Sequence, residues 1–345
     1  MKKYAFIFIA ITIAIVTYLT FFQQNTKAPA EYKLDITHVS DQDETQKLGK
    51  RIGGHCYLAS TTMMLKTFDP SIEFWQVLIA RGNSTSFSYY FPRGNESEIK
   101  ESLVGGTEEA LKAIKNMGYQ PHLRLRAFPI FNQDNGWIKL TKQLNGEVKT
   151  FWWISPMNEY KSVIASGIPL VTAGSPCWRD YNVVEGYSPD TLYVVVPDPN
   201  DEGKTDPKIS CAIGTGLYSD IVYWATPETK QVDHRAILTE MKSHTQNAPQ
   251  QIEMYANYLE KGSSITNFEI GRLYLARLLT AKYLKERGYT KLAAGYDKSA
   301  LLLEELTEFK PDDANKHMEI IIANMKLLGE NERVLIEEWN QIKID

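Results

Sequence analysis

The chain has 345 residues, of which 43% are hydrophobic and 23% charged, a globular composition long enough for about two domains with a core in each. Its formal net charge is −4 and its lysines and arginines are scattered, so nothing resembles the basic face of a nucleic-acid binder and no nucleic-acid partner is expected. Lys2 and Lys3 precede an uncharged run over 4–22, whose 19 residues would span roughly 30 Å as a helix, the hydrocarbon thickness of a bilayer. Residues 1–23 therefore read as a signal anchor: a single-pass transmembrane helix in the cell membrane, with its N-terminus cytoplasmic and the bulk of the chain extracytoplasmic. The small residues Ala28-Pro29-Ala30 offer the alternative of cleavage and secretion. Residues 24–47 are polar with little periodicity, which predicts a tether.

Apolar density rises from Leu48. The pattern predicts a helix over 57–68 that ends before Pro70, and an amphipathic helix over 72–79 that runs into the turn Arg81-Gly82-Asn83. A further helix, over 107–116, is capped by Thr107 and stopped at Gly118. Strands follow over 120–127 and 150–154. After a short helix over 159–165 closed by Gly167 come strands over 168–173, 181–187 and 192–196, the last two joined by Ser188-Pro189-Asp190. The run Tyr193-Val194-Val195-Val196 is what a strand buried on both faces looks like. Helices first and an antiparallel sheet second make an α+β layout, placed over 48–226.

Strand signals stop near Pro227, and residues 227–249 read as a connector. From 250 to 345 the pattern is helical, with helices over 252–259, 268–287, 291–309, 314–328 and 331–342. Long helices joined by short turns, with Pro311 after one of them, suit a tetratricopeptide-like (TPR-like) repeat or a small helical bundle; no second clean copy stands at the repeat spacing. Stacked helices of this kind present a long surface to a peptide or protein partner.

The chemistry concentrates at Gly53-Gly54-His55-Cys56, where glycines turn the chain into a helix whose N-terminal dipole and free N–H groups would favour a thiolate. The alternative is a buried cysteine packed as a small hydrophobe. Export permits a disulfide between Cys177 and Cys211, leaving Cys56 free; all three cysteines reduced and buried is the other reading.

Several motifs come in order: Cys56 at a helix start, Gly105-Gly106-Thr107 opening a helix that ends at Gly118, the segment from Tyr160 to Gly167-Ile168-Pro169-Leu170, then Val183-Val184-Glu185-Gly186-Tyr187, then Leu192-Tyr193-Val194-Val195-Val196-Pro197-Asp198-Pro199. Over roughly 48–205 this succession resembles the papain-like cysteine peptidases of the bacteriocin-leader type. His55-Cys56 with Arg81-Gly82 and Phe87-Ser88-Tyr89-Tyr90 is also similar to the butirosin-type cysteine acyltransferases, which share that fold. The resemblance implies a papain-like fold with Cys56 as nucleophile, a histidine six residues before Gly186, and Asp198 as the group that orients it.

The histidine position holds Asp180, and the position of the oxyanion-hole glutamine, six before Cys56, holds Lys50; Gln46 lies four further upstream. A cysteine peptidase needs imidazole to stabilise the thiolate and to protonate the leaving amine. A carboxylate beside the thiol does the reverse. The remaining candidates for a base are His55, His234 and His244, while His38, His122 and His317 read as structural or surface residues. No two histidines or cysteines stand at metal-ligand spacing, and no cofactor is implied. Trp152-Trp153, Tyr89-Tyr90-Phe91, Trp178 and Tyr181 are candidates to line a peptide groove, with Trp178 expected to face it. Three functions follow from these residues: a membrane-anchored extracytoplasmic thiol hydrolase using Cys56, a catalytically inactive peptide- or protein-binding module on the same fold, or a cysteine acyltransferase.

Overall fold

The computed structural model describes residues 28–47, 55–87, 98–126, 147–151, 156–173, 180–198, 206–212, 221–260, 267–307 and 317–344. The fold is α+β. Its sheet is built from β1 (Tyr32–Lys33), β2 (Tyr119–Arg126), β3 (Glu147–Phe151), β4 (Leu170–Ala173), β5 (Asn182–Tyr187), β6 (Thr191–Val195), β7 (Lys208–Ala212) and β8 (Ile221–Pro227). The order is β3-β2-β8-β4-β5-β6-β7, with β1 added beside β5. Pairing is antiparallel except between β2 and β3, which run parallel.

The central strands β4 and β5 are buried throughout, and β8 is buried over its first five residues, because helices cover both faces of the sheet. Alternation along β8 shows which helix covers which face. Tyr223 turns its hydroxyl to Thr61 of α2 (Cys56–Lys66), at 3.0 Å, while Trp224 points the other way, edge-on to Tyr160 of α5 (Met157–Ala165). α2 is enclosed further by α1 (Asp41–Gln46), α3 (Phe74–Ala80) and α4 (Glu98–Asn116), so its residues 57–65 are all buried.

The remaining described helices are α6 (His234–Glu260), α7 (Asn267–Glu286), α8 (Thr290–Thr307) and α9 (Met318–Gln341). α7 packs on α8, α8 on α9, and α9 returns onto α6. The helical lobe is tied to the sheet lobe through residues 81–85. Arg277 of α7 donates to the Ser84 carbonyl at 2.7 Å, Thr280 to the Ser84 hydroxyl at 2.8 Å, and Thr85 to the Met241 carbonyl of α6 at 2.7 Å. Arg277 also pairs with Glu332 at 2.7 Å, both side chains fully buried.

Several predicted elements need correction. The tether over 24–47 is packed chain from Ala28 onward: Ile36, Val39, Asp41 and Thr45 are buried, and Leu34 N–H donates to the Glu185 carbonyl at 2.8 Å. The connector over 227–249 is helical from His234, with Pro249 inside α6; Ile237, Leu238, Met241, Thr245, Ala248 and Ile252 give it one continuous buried stripe. The predicted break near 329 is absent. Gly329 lies inside α9, where a Cβ would make an ordinary contact with Ile252 of α6 at 3.5 Å, so the helix runs through it without a break. Gly105-Gly106 likewise sits within α4 rather than opening it. β1, β7 and β8 are additions to the predicted strands.

No helix among the described residues is long and apolar enough to cross a membrane, and the predicted anchor over 1–23 lies outside them. The Arg277–Glu332 pair yields a stability prediction. Glu332→Ala leaves a buried guanidinium uncompensated and is expected to cost about 3–5 kcal/mol in chemical denaturation. An apolar replacement of both partners, Arg277→Met with Glu332→Leu, is expected to recover most of that loss; equal losses in the single and double variants would show that the charge pairing is not the source.

Candidate functional site

Cys56 is the first residue of α2, with His55 as its N-cap. The packed N-terminal strap brings chemistry to this helix terminus. β1 lies against β5, and His38 Nε2 bonds the carbonyls of Val196 and Pro197 at 3.1 and 2.9 Å. The chain then enters α1 with Ser40 as N-cap, its hydroxyl accepting from Asp43 N–H at 3.2 Å and donating to Asp198 Oδ1 at 2.7 Å. Asp41, next along, is completely buried, and its Oδ2 accepts the backbone N–H of His55. Asp41 therefore stitches α1 to the turn that carries Cys56.

Asp41 and Asp198 face each other. Burial first, then the hydrogen bond to Asp198 and its charge, push the Asp41 carboxyl up to about 9, against the opposing N–H groups of His55 and Gln42. Asp41 Oδ1 has no donor among the described residues unless the two carboxyls share a proton. Among the described residues no group of three or more His, Cys, Asp or Glu side chains is arranged to hold a metal ion.

Asp180 stands at the other side of the thiol. Its Oδ1 accepts Tyr181 N–H at 2.8 Å, and its carboxyl lies close enough to Cys56 to act on the thiol. The thiol pKa lies well above the ordinary range, because of burial first, then the charges of Asp180 and Asp41 and the hydrogen bond to Asp180; the Tyr181 N–H opposes them weakly. A helix N-terminus is worth typically up to about 1 kcal/mol to a nearby anion. A carboxylate about 4 Å away at an effective dielectric of about 20 opposes it with about 4 kcal/mol. The carboxyls win, and the sulfur is held as a thiol.

All six histidines of the chain lie among the described residues, and none bonds the sulfur. The His55 ring is turned away, packed 6.3 and 6.4 Å from the rings of Tyr57 and Phe74. Its nitrogens have no partner among the described residues, and burial, then the charges of Arg272 and Arg81, hold it neutral. His38 caps the carbonyls before Asp198, His122 stacks on Trp224, His234 bonds the Tyr283 hydroxyl at 2.9 Å, and His317 is the N-cap of α9. His244 lies in α6, its pKa lowered by burial and then by Lys112 and Arg81.

Behind the site a buried polar cluster fixes the first turn of α2. Tyr57 donates to Glu109 at 2.8 Å; Arg81 reaches both, at 3.0 and 3.1 Å, and Asn83 bonds the other oxygen of Glu109. Gly106 makes the close approach of α4 feasible, since a Cβ there would stand 3.1 Å from the Tyr181 hydroxyl and 3.3 Å from the Tyr57 ring. Asp180 and Asp41 thus act on the Cys56 thiol, while Asp198 meets Ser40 and Asp41, residues of the predicted tether, and makes no hydrogen bond to the sulfur. Ser40 followed by Asp41, Asp43 and Glu44 is an N-cap with an acidic first turn, a signal for α1 though not for its docking. Gln46 is exposed and takes no part. Lys50, Trp152-Trp153, Tyr89-Tyr90-Phe91, Trp178 and Cys177 lie outside the described residues; Cys211 is disulfide-bonded and Cys56 is free.

No protein-family model matches the chain, and no curated protein matches it.

The shared proton has a consequence for stability. Asp41 is protonated up to about pH 9 when folded and releases its proton near pH 4 when unfolded, so the folded state binds more protons across that window. Its contribution to stability is complete below about pH 4 and is lost as pH rises towards 9. Asp41→Asn mimics the protonated carboxyl at every pH. Denaturation midpoints of variant and wild type are expected to coincide near pH 4 and to diverge in favour of the variant towards pH 8; parallel curves would mean that no proton is taken up there.

Proposed function

We propose that this chain is a membrane-anchored extracytoplasmic protein whose papain-like cleft binds a peptide or protein segment without cutting it. The observation that carries this reading is the Cys56 thiol, whose neighbouring charges are the carboxyls of Asp180 and Asp41 and which has no imidazole bonded to it. A thiol hydrolase needs a thiolate poised by a cationic partner and an acid for the leaving amine. Here the nearest charged groups oppose the thiolate, and no imidazole is bonded to the sulfur to protonate a leaving amine. An acyltransferase would need the same nucleophile and meets the same objection.

The papain-like reading is supported by the order of parts: a cysteine at the N-terminus of a buried helix, a mostly antiparallel sheet after it, and Asp198 following β6 on the cysteine's side. The anchor rests on the apolar run over 4–22 behind Lys2 and Lys3. The helices α6 to α9, with α9 returning onto α6, suit a bundle better than an open TPR-like stack, and their outer faces are the second surface offered to a protein partner.

Alkylation by iodoacetamide tests the reading. Wild-type Cys56 is expected to label slowly at pH 7, with a midpoint above that of an ordinary thiol, because each unit of upward shift removes tenfold of the thiolate. Asp180→His, which puts an imidazole where the hydrogen-bonding carboxyl stands, is expected to raise the rate at pH 7 by at least about tenfold. Rapid wild-type labelling at pH 6–7 would overturn the inactive reading and return the protein to the hydrolases.

A further inference from the structure

A cavity of about 250 Å³ opens at the seam between the two lobes, away from the Cys56 cleft. Its floor is apolar, with Ile79 of α3 and Ile237 of α6, and two aromatic rings, Trp75 and Tyr283, wall it. At protein packing density, roughly 0.75, it holds on the order of ten non-hydrogen atoms.

The rim is rich in donors. Gln76 Oε1 is taken by the Glu73 N–H at 2.8 Å in the α3 capping box, which leaves the amide NH₂ to donate. His234 engages Tyr283 through Nδ1 at 2.9 Å, and Nε2 has no partner among the described residues. With the buried phenol donating to Nδ1, the imidazole carries its own proton on Nε2. The Arg287 guanidinium lies 6.0 Å from the Tyr283 ring and makes no ion pair among the described residues. The Lys282 ammonium, 4.0 Å from the centre of the Trp75 ring, is likewise without a carboxylate. Against these donors stand the carboxylates of Glu286, in the lining, and of Glu73, which accepts from the Trp75 indole beside it.

We propose that this cavity is a binding site for a small aromatic carboxylate, with its ring against Trp75 and Tyr283 and its carboxylate on Arg287, assisted by Gln76 and His234. Apolar walls with a few convergent polar groups are the ordinary make-up of a small-molecule site. An arginine without a partner beside an aromatic face suits the planar carboxylate better than a point charge would. The site is independent of the cleft reading, since it shares no residue with Cys56, Asp41, Asp180 or Asp198.

Calorimetric titration of the full-length chain in lipid nanodiscs tests it, with phenylacetate, neutral phenylacetamide and cationic phenethylamine as probes. Phenylacetate is expected to bind saturably, the amide at least about tenfold more weakly and the amine not at all. Arg287 is solvent-facing, so Arg287→Gln is expected to fold normally, to weaken phenylacetate by at least about tenfold and to leave the amide unchanged. The absence of saturable phenylacetate binding at millimolar concentration, equal affinity for all three probes, or an unaltered affinity in Arg287→Gln would each overturn the proposal. Cys56 alkylation is expected to be indifferent to phenylacetate, so this site and the cleft reading fail separately.

Discussion

The enclosure of α2 is the constraint on which the rest depends. Residues 57–65 of α2 are buried and its first residue, Cys56, is half-buried, so the leading N–H groups and the first side chain are met largely by groups of the protein. Asp41 meets the His55 N–H, Asp180 meets the thiol, and the Tyr57–Glu109–Arg81–Asn83 cluster holds the first turn from behind. Each partner comes from a different part of the chain. The strap from Ala28 exists as packed structure because one of these partners lies in it, and it is fastened along its length by β1 on β5, His38 on the Val196 and Pro197 carbonyls, and Ser40 on Asp198.

Carboxyl groups crowd the place where catalytic cysteines of the resembled family have imidazole. Burial and the facing Asp198 keep the Asp41 carboxyl protonated, and the Asp180 carboxyl opposes loss of the thiol proton. The backbone geometry that would expose a thiolate to a helix dipole is intact; the electrostatics around it are reversed. A site of this kind keeps hydrogen-bonding capacity while its carboxyls oppose the thiolate, which is the physical content of the binding reading proposed above.

Much of the fold was legible in the residues. The strands β4, β5 and β6 and the helices α2, α3, α7 and α8 carry periodicity or apolar runs of the right length, bounded by Gly118, Gly167, Gly288 and Pro70. The failures have local causes. Gly329 reads as a stop because glycine weakens helices, yet the packing of α9 on α6 carries the helix through it. The first half of α6 is polar enough to pass for a connector, although its buried residues recur every three or four positions. β8, at the middle of the sheet, has the apolar run Ile221-Val222-Tyr223-Trp224-Ala225, but nothing local tells a central strand from an edge one.

The sequence by itself determined that the chain is α+β with a helical C-terminal part, that Cys56 opens a helix, and that Asp180 stands where an imidazole was expected. These are properties of spacing and residue type, and they are decided over a few turns or strands. Only the tertiary structure decided that Asp41 belongs beside Asp198, that no histidine bonds the Cys56 sulfur, and that an aromatic cavity, with an arginine that makes no ion pair among the described residues, lies at the lobe seam. Those depend on contacts between residues more than a hundred positions apart, such as Ser40 with Asp198 and Ser84 with Arg277, and no local pattern records which distant group a buried polar atom will meet.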